Sequence, residues 1–296
     1  MKFPTAMIQA ITSVASLFAK KNNMMCTHAP VAPDSLHMEL CCRIEEFLEQ
    51  DLFSLVIQPV VSLKDNSIFT GEVLSRLNHP ERGIISPDSF LPVVDALDLY
   101  PRYDRYIFKK CCAWVSRSLA AGEPLNFISI NFSRPSLCEA NLARDLIEIA
   151  DRYGIPHSTL GIEITEQVPE SGVIHLLNNL NALRAAGFCV ILDDFGSGVT
   201  SFNDLMHYPL DIVKIDRSLL LKAETPQGAA AYRNLVAMAT DLGAEVVCEG
   251  IETEAQHRFA REAGCHFGQG FLFFKPISQH QIFEQIRKYR IGEDNV

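Results

Sequence analysis

Nine polar residues in this sequence interrupt or end apolar runs, and their types could hold hard metal ions and position a phosphate. They are Glu72 in Gly71-Glu72-Val73-Leu74, Asn131 in Ser129-Ile130-Asn131, Glu163 and Glu166 in Ile162-Glu163-Ile164-Thr165-Glu166, the adjacent Asp193 and Asp194, Lys214 in Val213-Lys214-Ile215-Asp216, Glu249 in Cys248-Glu249-Gly250 and Gln269 in Gly268-Gln269-Gly270. Any one alone reads more readily as a rim residue or a satisfied buried polar group. Seven separate apolar segments each delivering at least one is a pattern that solvation does not explain. Five acids (Glu72, Glu163, Asp193, Asp194, Glu249) against Lys214 leave four negative charges uncompensated, and carboxylates brought that close cannot all stay ionised unaided. Two divalent cations would balance them. Carboxylate and amide oxygens without Cys or His suit Mg²⁺ or Mn²⁺ rather than zinc, and two such ions about 3.5–4 Å apart clamp the attacking and leaving oxygens of an in-line phosphoryl displacement.

The elements that must carry these residues follow from the apolar pattern. Val190-Ile191-Leu192 runs straight into Asp193-Asp194-Phe195-Gly196-Ser197-Gly198, a buried strand delivering two acids to a Gly-rich loop. Successive strand side chains face opposite ways, so Asp193 and Asp194 cannot both face inward on a regular strand, and the strand is predicted to end near residue 193. Strands are predicted near 54–62, 67–76, 126–132, 160–165, 188–193, 211–215, 245–249 and 267–273. Helical segments lie between them: Ser86-Pro87-Asp88 opens one as N-cap and first-position proline, and Leu176, Leu177, Leu180 and Leu183 belong to another that stops at Gly187. Eight such strands alternating with helices fit an α/β fold, a TIM-like (β/α)8 barrel, whose chemistry sits at the C-terminal ends of the strands. The first two strands are linked only by Leu63-Lys64-Asp65-Asn66, too short for a crossover, so one strand near the start is predicted to be antiparallel.

Composition narrows the partners. The 296 residues are 48% apolar with a net charge of −10 and no long run of Lys or Arg, which argues against a nucleic-acid polymer or an anionic membrane surface. Nine cysteines, with the pairs Cys41-Cys42 and Cys111-Cys112 and no Cys-x-x-Cys, fit neither a disulfide framework nor a zinc site; they are expected to be reduced and mostly buried, in a cytoplasmic protein. Nine histidines without ligand spacing argue against a zinc hydrolase. No window is apolar enough to span a bilayer, and the weakly apolar stretch from Met7 to Ala19 is too diluted by Gln9, Thr12, Ser13 and Ser16 for a signal peptide. The expected division is a poorly ordered segment 1–35, with Met24 or Met25 as an alternative start, an amphipathic entry helix 36–52 carrying Leu36, Leu40, Ile44, Phe47 and Leu48, a barrel 53–290 and a tail 291–296.

From Phe53 to about Arg290 the chain resembles the EAL-domain family of bacterial cyclic di-GMP phosphodiesterases. The resemblance rests on Gln58-Pro59-Val60, Glu72-Val73-Leu74 with Arg76, His79-Pro80-Glu81-Arg82-Gly83, Asn131, Glu163-Ile164-Thr165-Glu166, Asp193-Asp194-Phe195-Gly196-Ser197-Gly198, Val213-Lys214-Ile215-Asp216-Arg217-Ser218, Glu249-Gly250-Ile251-Glu252-Thr253 and Gln269-Gly270. It implies two Mg²⁺ or Mn²⁺ ions per site, one held by Glu72, Asn131, Glu163 and Asp193, the other by Asp193, Asp194 and Glu249. Lys214 and Gln269 would serve the attacking water, Gln58, Arg76 and Asp216 would bind substrate, and Glu166 would anchor the loop at 194–200. The implied reaction opens cyclic di-GMP to linear 5′-pGpG in a homodimer, through the segments Ser201 to Tyr208 and Ala229 to Leu242, with a regulatory partner that the sequence does not identify. Val73 stands where the family has Ala, Ser75 where it has an apolar residue, Leu77 where an aromatic is usual and Val199 where Tyr is common. The alternative is a catalytically silent EAL-like adaptor that binds cyclic di-GMP or a protein; every ligand position is filled, which favours the enzyme. A dinucleotide-binding glycine loop at Gly196-Ser197-Gly198 fails on spacing and on the charge of Asp193 and Asp194.

Overall fold

The computed structural model describes residues 35–123, 127–164, 172–197 and 202–291. The segment 1–35 and the tail 291–296 lie outside the described residues apart from their boundary positions, as do Thr165 and Glu166. The chain forms two compact units: one holds Ser75–Ile107 with the described residues up to Leu55, the other holds Val56–Leu74 with the described residues from Phe108 onward. Two strands, β1 (Phe53–Ser62) and β2 (Ile68–His79), run through both.

The second unit contains the barrel. Its further strands are β4 (Ile128–Phe132), β5 (Leu160–Ile164), β6 (Cys189–Phe195), β7 (Ile212–Ile215), β8 (Glu245–Cys248) and β9 (Phe267–Gly268); a short β3 (Gly83–Ile85) belongs to the first unit and β10 (Ile277–Ser278) pairs at Val56 and Ile57 of β1. From β2 through β4, β5, β6, β7, β8 and β9 every neighbouring pair is parallel. β1 pairs antiparallel with β9 and also with β2, closing the ring of eight. The predicted antiparallel strand is therefore β1, and the cause is the short link: Ser62 N–H bonds Ser67 carbonyl across a tight hairpin. The barrel is filled by Val60, Ile191, Ile212, Val247 and Phe267, joined by Phe69, Phe127 and Cys189, with Phe69 stacked on Phe267 at 3.7 Å.

One strand is shorter than its sequence pattern. The apolar run 267–273 reads as a full strand, yet β9 stops at Gly268. A Cβ at Gly270 would lie 2.1 Å from the Ile251 carbonyl oxygen, and Ile251 bonds both Gln269 and Leu272 through its backbone, so the chain folds over Ile251 instead of extending.

In the first unit, α1 (Ser35–Glu49) buries Leu40, Ile44, Phe47 and Leu48 and packs on α2 (Pro87–Ala96), which opens at Ser86-Pro87 as its sequence requires. Phe53 meets the rings of Phe90, Tyr103 and Tyr106 edge-on. Helix α3 (Tyr100–Ala120) begins in this unit and continues into the second. The remaining helices, all in the second unit, are α4 (Arg134–Leu137), α5 (Leu142–Arg152), α6 (Val173–Ala186), α7 (Phe202–His207), α8 (Arg217–Lys222), α9 (Pro226–Asp241), α10 (Glu254–Glu262) and α11 (Gln279–Ile291). Helix α6 ends on Gly187 in the left-handed region at φ 102°. Among the described residues no helix is long and apolar enough to cross a membrane.

Candidate active site

The acid pair of β6 is delivered by a bulge and not by a strand end. The strand continues to Phe195, but its register against β7 shifts between Leu192 and Phe195, and Asp194 takes a left-handed φ of 53°. One extra residue in the ladder breaks the alternation that would send Asp193 and Asp194 to opposite sides. Aspartate tolerates this region better than most residues, and the surrounding structure must still hold it there. Phe195 carbonyl accepts the Asp216 N–H, and Gly196 at φ 93° lies against Leu219, where a Cβ would come 2.1 Å from Cδ1.

The strand registers then bring the other residues together. Asn131 pairs with Glu163 across β4 and β5, and Lys214 with Val247 on β8, two residues before Glu249. Lys214, 2% exposed, stands among four carboxylates: Nζ lies 2.7 Å from Asp193, 2.8 Å from Glu163, 2.9 Å from Glu249 and 3.1 Å from Glu72. Glu72 also accepts from Asn131 Nδ2 at 2.7 Å and from Gln269 Nε2 at 2.9 Å. Burial drives the carboxyl pKa values upward throughout. At Glu163 burial, reinforced by Glu72 and Asp193, raises the value to about 8; Asp193 is raised and Glu249 is raised well above the ordinary range, burial leading in each. Burial also acts on Glu72, but Lys214 with the bonds from Gln269 and Asn131 overcomes it, so that pKa falls. Burial alone would lower the Lys214 pKa; its acids outweigh that and raise it well above normal. One ammonium thus serves four acids, and it is not enough for all of them.

Two observations fit this site to a hard cation. Gln269 Oε1 is buried without a hydrogen-bond partner, and Asp193 Oδ1, also buried, has the Lys214 ammonium 2.7 Å away but shares it with three other acids. Oxygens of Asp193, Asp194 and Glu249 lie within 4.8 Å of one another. Buried oxygens short of partners beside such a cluster are the donors Mg²⁺ or Mn²⁺ takes. The second ligand group is arranged differently: Glu72, Glu163 and Asn131 are tied into the Lys214 network.

A cavity of about 250 Å³ adjoins the acids, lined by residues that include Gln58, Glu72, Glu249 and Gln269. Of the other expected substrate residues, Asp216 caps α8, its carboxylate accepting Ser218 N–H at 2.9 Å, and Arg76 belongs to the first unit, where it donates to Ser75 carbonyl at 2.7 Å. Glu166 lies outside the described residues.

The EAL domain family matches residues 42–276. This chain belongs to the EAL domain family. Cyclic di-GMP phosphodiesterase RocR of Pseudomonas aeruginosa is 31% identical to it over 238 residues, 80% of this chain and 60% of that protein. Cyclic di-GMP phosphodiesterase NbdA of the same organism is 30% identical over 260 residues, 88% of this chain and 33% of that protein. The chain therefore spans between one third and three fifths of the length of these relatives. A solved structure described as the PaMucR phosphodiesterase in complex with c-di-GMP shares 30% identity at a TM-score of 0.75, covering 82% of this chain and 99% of that one.

Within this EAL domain the cavity also has walls that received no individual role from the sequence. Arg217 donates to Glu252 at 2.9 Å and crosses Gly250, where a Cβ would lie 2.4 Å from the Arg217 Cγ. Phe271, 56% exposed, is a further wall. Arg217 and Glu252 lie inside motifs that carry the resemblance, but Phe271 was hidden in an apolar run that reads as strand.

Proposed function

We propose that this EAL domain hydrolyses one phosphodiester bond of cyclic di-GMP to linear 5′-pGpG, using two Mg²⁺ or Mn²⁺ ions, and so lowers the level of that messenger in the cytoplasm. The observation that carries this reading is the convergence of Glu72, Glu163, Asp193 and Glu249 on the one ammonium of Lys214, with Gln269 Oε1 left unpartnered beside them. Relatives named as cyclic di-GMP phosphodiesterases support the substrate.

Asp193, Asp194 and Glu249 would hold one cation and Glu72, Asn131, Glu163 and Asp193 the other. Bound there, the ions supply Lewis acidity to the phosphoryl oxygens and acidify the attacking water. Lys214 orients that water and holds the acids in register, and Gln269 fixes Glu72 through its amide N–H. Gln58 lines the cavity and meets substrate there; Arg76 binds a phosphate, Asp216 supports substrate through the α8 turn, and Glu166 anchors the loop at 194–200. The assembly we propose is a homodimer through α7 and α9, supported by Met206, 54% exposed on α7; light scattering at micromolar concentration that returns a monomer mass refutes it.

Purified protein incubated with cyclic di-GMP should give 5′-pGpG with Mg²⁺ or Mn²⁺ and none with EDTA. Binding of cyclic di-GMP without metal-dependent turnover would replace the enzyme with the adaptor.

A further inference from the structure

Lys214 brings a single charge and three N–H donors to the site, on a strand whose four residues are all buried. Among the described residues the acids paired with Nζ are Glu72, Glu163, Asp193 and Glu249, between 2.7 and 3.1 Å away. These acids are divided between the two proposed cation sites, and not evenly. The set Glu72, Asn131, Glu163 and Asp193 has every one of its carboxylates on the ammonium, through Glu72 Oε2, Glu163 Oε2 and Asp193 Oδ1. Glu72 is held further, accepting Asn131 Nδ2 on Oε1 at 2.7 Å and Gln269 Nε2 on Oε2 at 2.9 Å. Both oxygens of that carboxylate therefore already have donors. The set Asp193, Asp194 and Glu249 takes one of its acids, Asp194, from the bulge of β6 instead, and its oxygens lie within 4.8 Å of one another.

A hard divalent ion such as Mg²⁺ takes carboxylate oxygens at about 2.0–2.1 Å. An ion among Glu72, Glu163 and Asp193 thus needs the oxygens, and the space, that Nζ holds. Two cations brought that close in a buried site oppose each other. An ion among Asp193, Asp194 and Glu249 has one acid outside the circle around the ammonium and meets less of that opposition.

We propose that Lys214 makes the two cation sites unequal: its ammonium competes for the site of Glu72, Asn131 and Glu163, so the Asp193–Asp194–Glu249 site fills first and the other fills only as Nζ withdraws. This deepens the proposed two-metal hydrolysis and rests on it. Glu249 lines the cavity, so an ammonium that leaves Glu72 and Glu163 keeps a partner there. The cavity is where substrate is proposed to bind, and the move that opens the second site also carries Lys214 to the attacking water.

The test is titration of the full chain with Mn²⁺ in the absence of substrate, by calorimetry and by counting bound ions in equilibrium dialysis. Wild-type protein should bind two ions with affinities at least about tenfold apart, the factor that a neighbouring like charge imposes when it shifts an equilibrium by one pK unit. Lys214→Met removes the charge and keeps most of the stem; its weaker site should tighten by at least about tenfold. Asn131→Ala should weaken the weaker site and leave the tighter one unchanged. Two equal sites in the wild type overturn the proposal while the two-metal reading stands, as does a weaker site that fails to tighten in Lys214→Met. A wild-type chain that takes up one ion or none overturns that reading and the proposal with it. Should Lys214→Met not fold, Asn131→Ala decides: loss confined to the weaker site supports the proposal, and loss from the tighter site, or from neither, overturns it.

Discussion

A buried histidine network in the first unit and the acid cluster in the second treat their polar groups in opposite ways. In the first, His79 has no exposed side-chain surface, and each ring nitrogen is used: Nδ1 accepts the N–H groups of Glu81 and Arg82 at 3.2 Å, and Nε2 donates to Glu39 at 2.9 Å, which also receives Arg82 at 3.0 Å. Ser75, standing where the family has an apolar residue, is buried and bonds Tyr103 at 2.5 Å. In the acid cluster of the second unit, acids outnumber their cation and Gln269 Oε1 has no hydrogen-bond partner. A saturated network stabilises a fold and has nothing left to give a ligand. An unsaturated one costs stability and is retained where something else completes it.

The hardest blow to this contrast falls on Lys214. Lys214→Ala leaves four buried acids without their cation, so the metal-free variant should melt well below wild type and recover on adding Mn²⁺. Turnover of cyclic di-GMP should fall by roughly 10²–10⁴-fold, the range for a positioned group acting in the transition state. Calorimetry in Ca²⁺ should show substrate still bound. A metal-free variant as stable as wild type would mean that the acids were never competing for one ammonium.

Glu249→Ala should cost less, at least about 100-fold in turnover at low metal, the upper end of what is lost even with groups one step removed from a metal. Raising Mn²⁺ should recover part of it. The deficit should lie in metal dependence, so an activity loss that no Mn²⁺ concentration relieves would place Glu249 elsewhere in the mechanism.

How much of this could be read beforehand follows from which forces are local. Residue types at strand ends were visible because an acid inside an apolar run is anomalous wherever it falls, and an antiparallel strand near the start was visible because four residues cannot make a crossover. The bulge at Asp194 was not, since a period of two carries no signal for one residue in the left-handed region and predicts a strand end near 193 instead. The early end of β9 depends on Gly270 meeting Ile251, a tertiary contact. The two units were hidden because β1 and β2 run unbroken through both.

A smaller effect comes from protons. Glu163 has its pKa raised by burial and by neighbouring acids from 4.5 to about 8. A carboxyl whose folded value exceeds its unfolded one favours the folded state fully below the unfolded pKa, and that contribution is lost as pH rises from about 4.5 to 8. The metal-free protein should therefore lose stability from this group across that window. Metal must displace the proton, so Mn²⁺ affinity should rise between pH 6 and 8 by up to about tenfold per unit, with proton release seen as a dependence of the binding heat on buffer ionisation. Affinity flat across that range would show that Glu163 is ionised before metal arrives.

The smallest effect on chemistry should come from the saturated side. His79→Leu keeps bulk against Phe47, which the imidazole meets edge-on at 5.3 Å, but strips Glu39 of one donor and leaves the N–H groups of Glu81 and Arg82 without their acceptor. Each part-buried group left unpaired costs about 1–3 kcal/mol, so denaturant unfolding should show a loss of that order or somewhat above it. Turnover per folded molecule should stay within about twofold, because nothing in this network is short of a partner that substrate or metal could supply. A tenfold fall in turnover at unchanged folded fraction would erase the distinction between the two units, making His79 part of the catalytic machinery instead of a clasp on the β2–β3 turn.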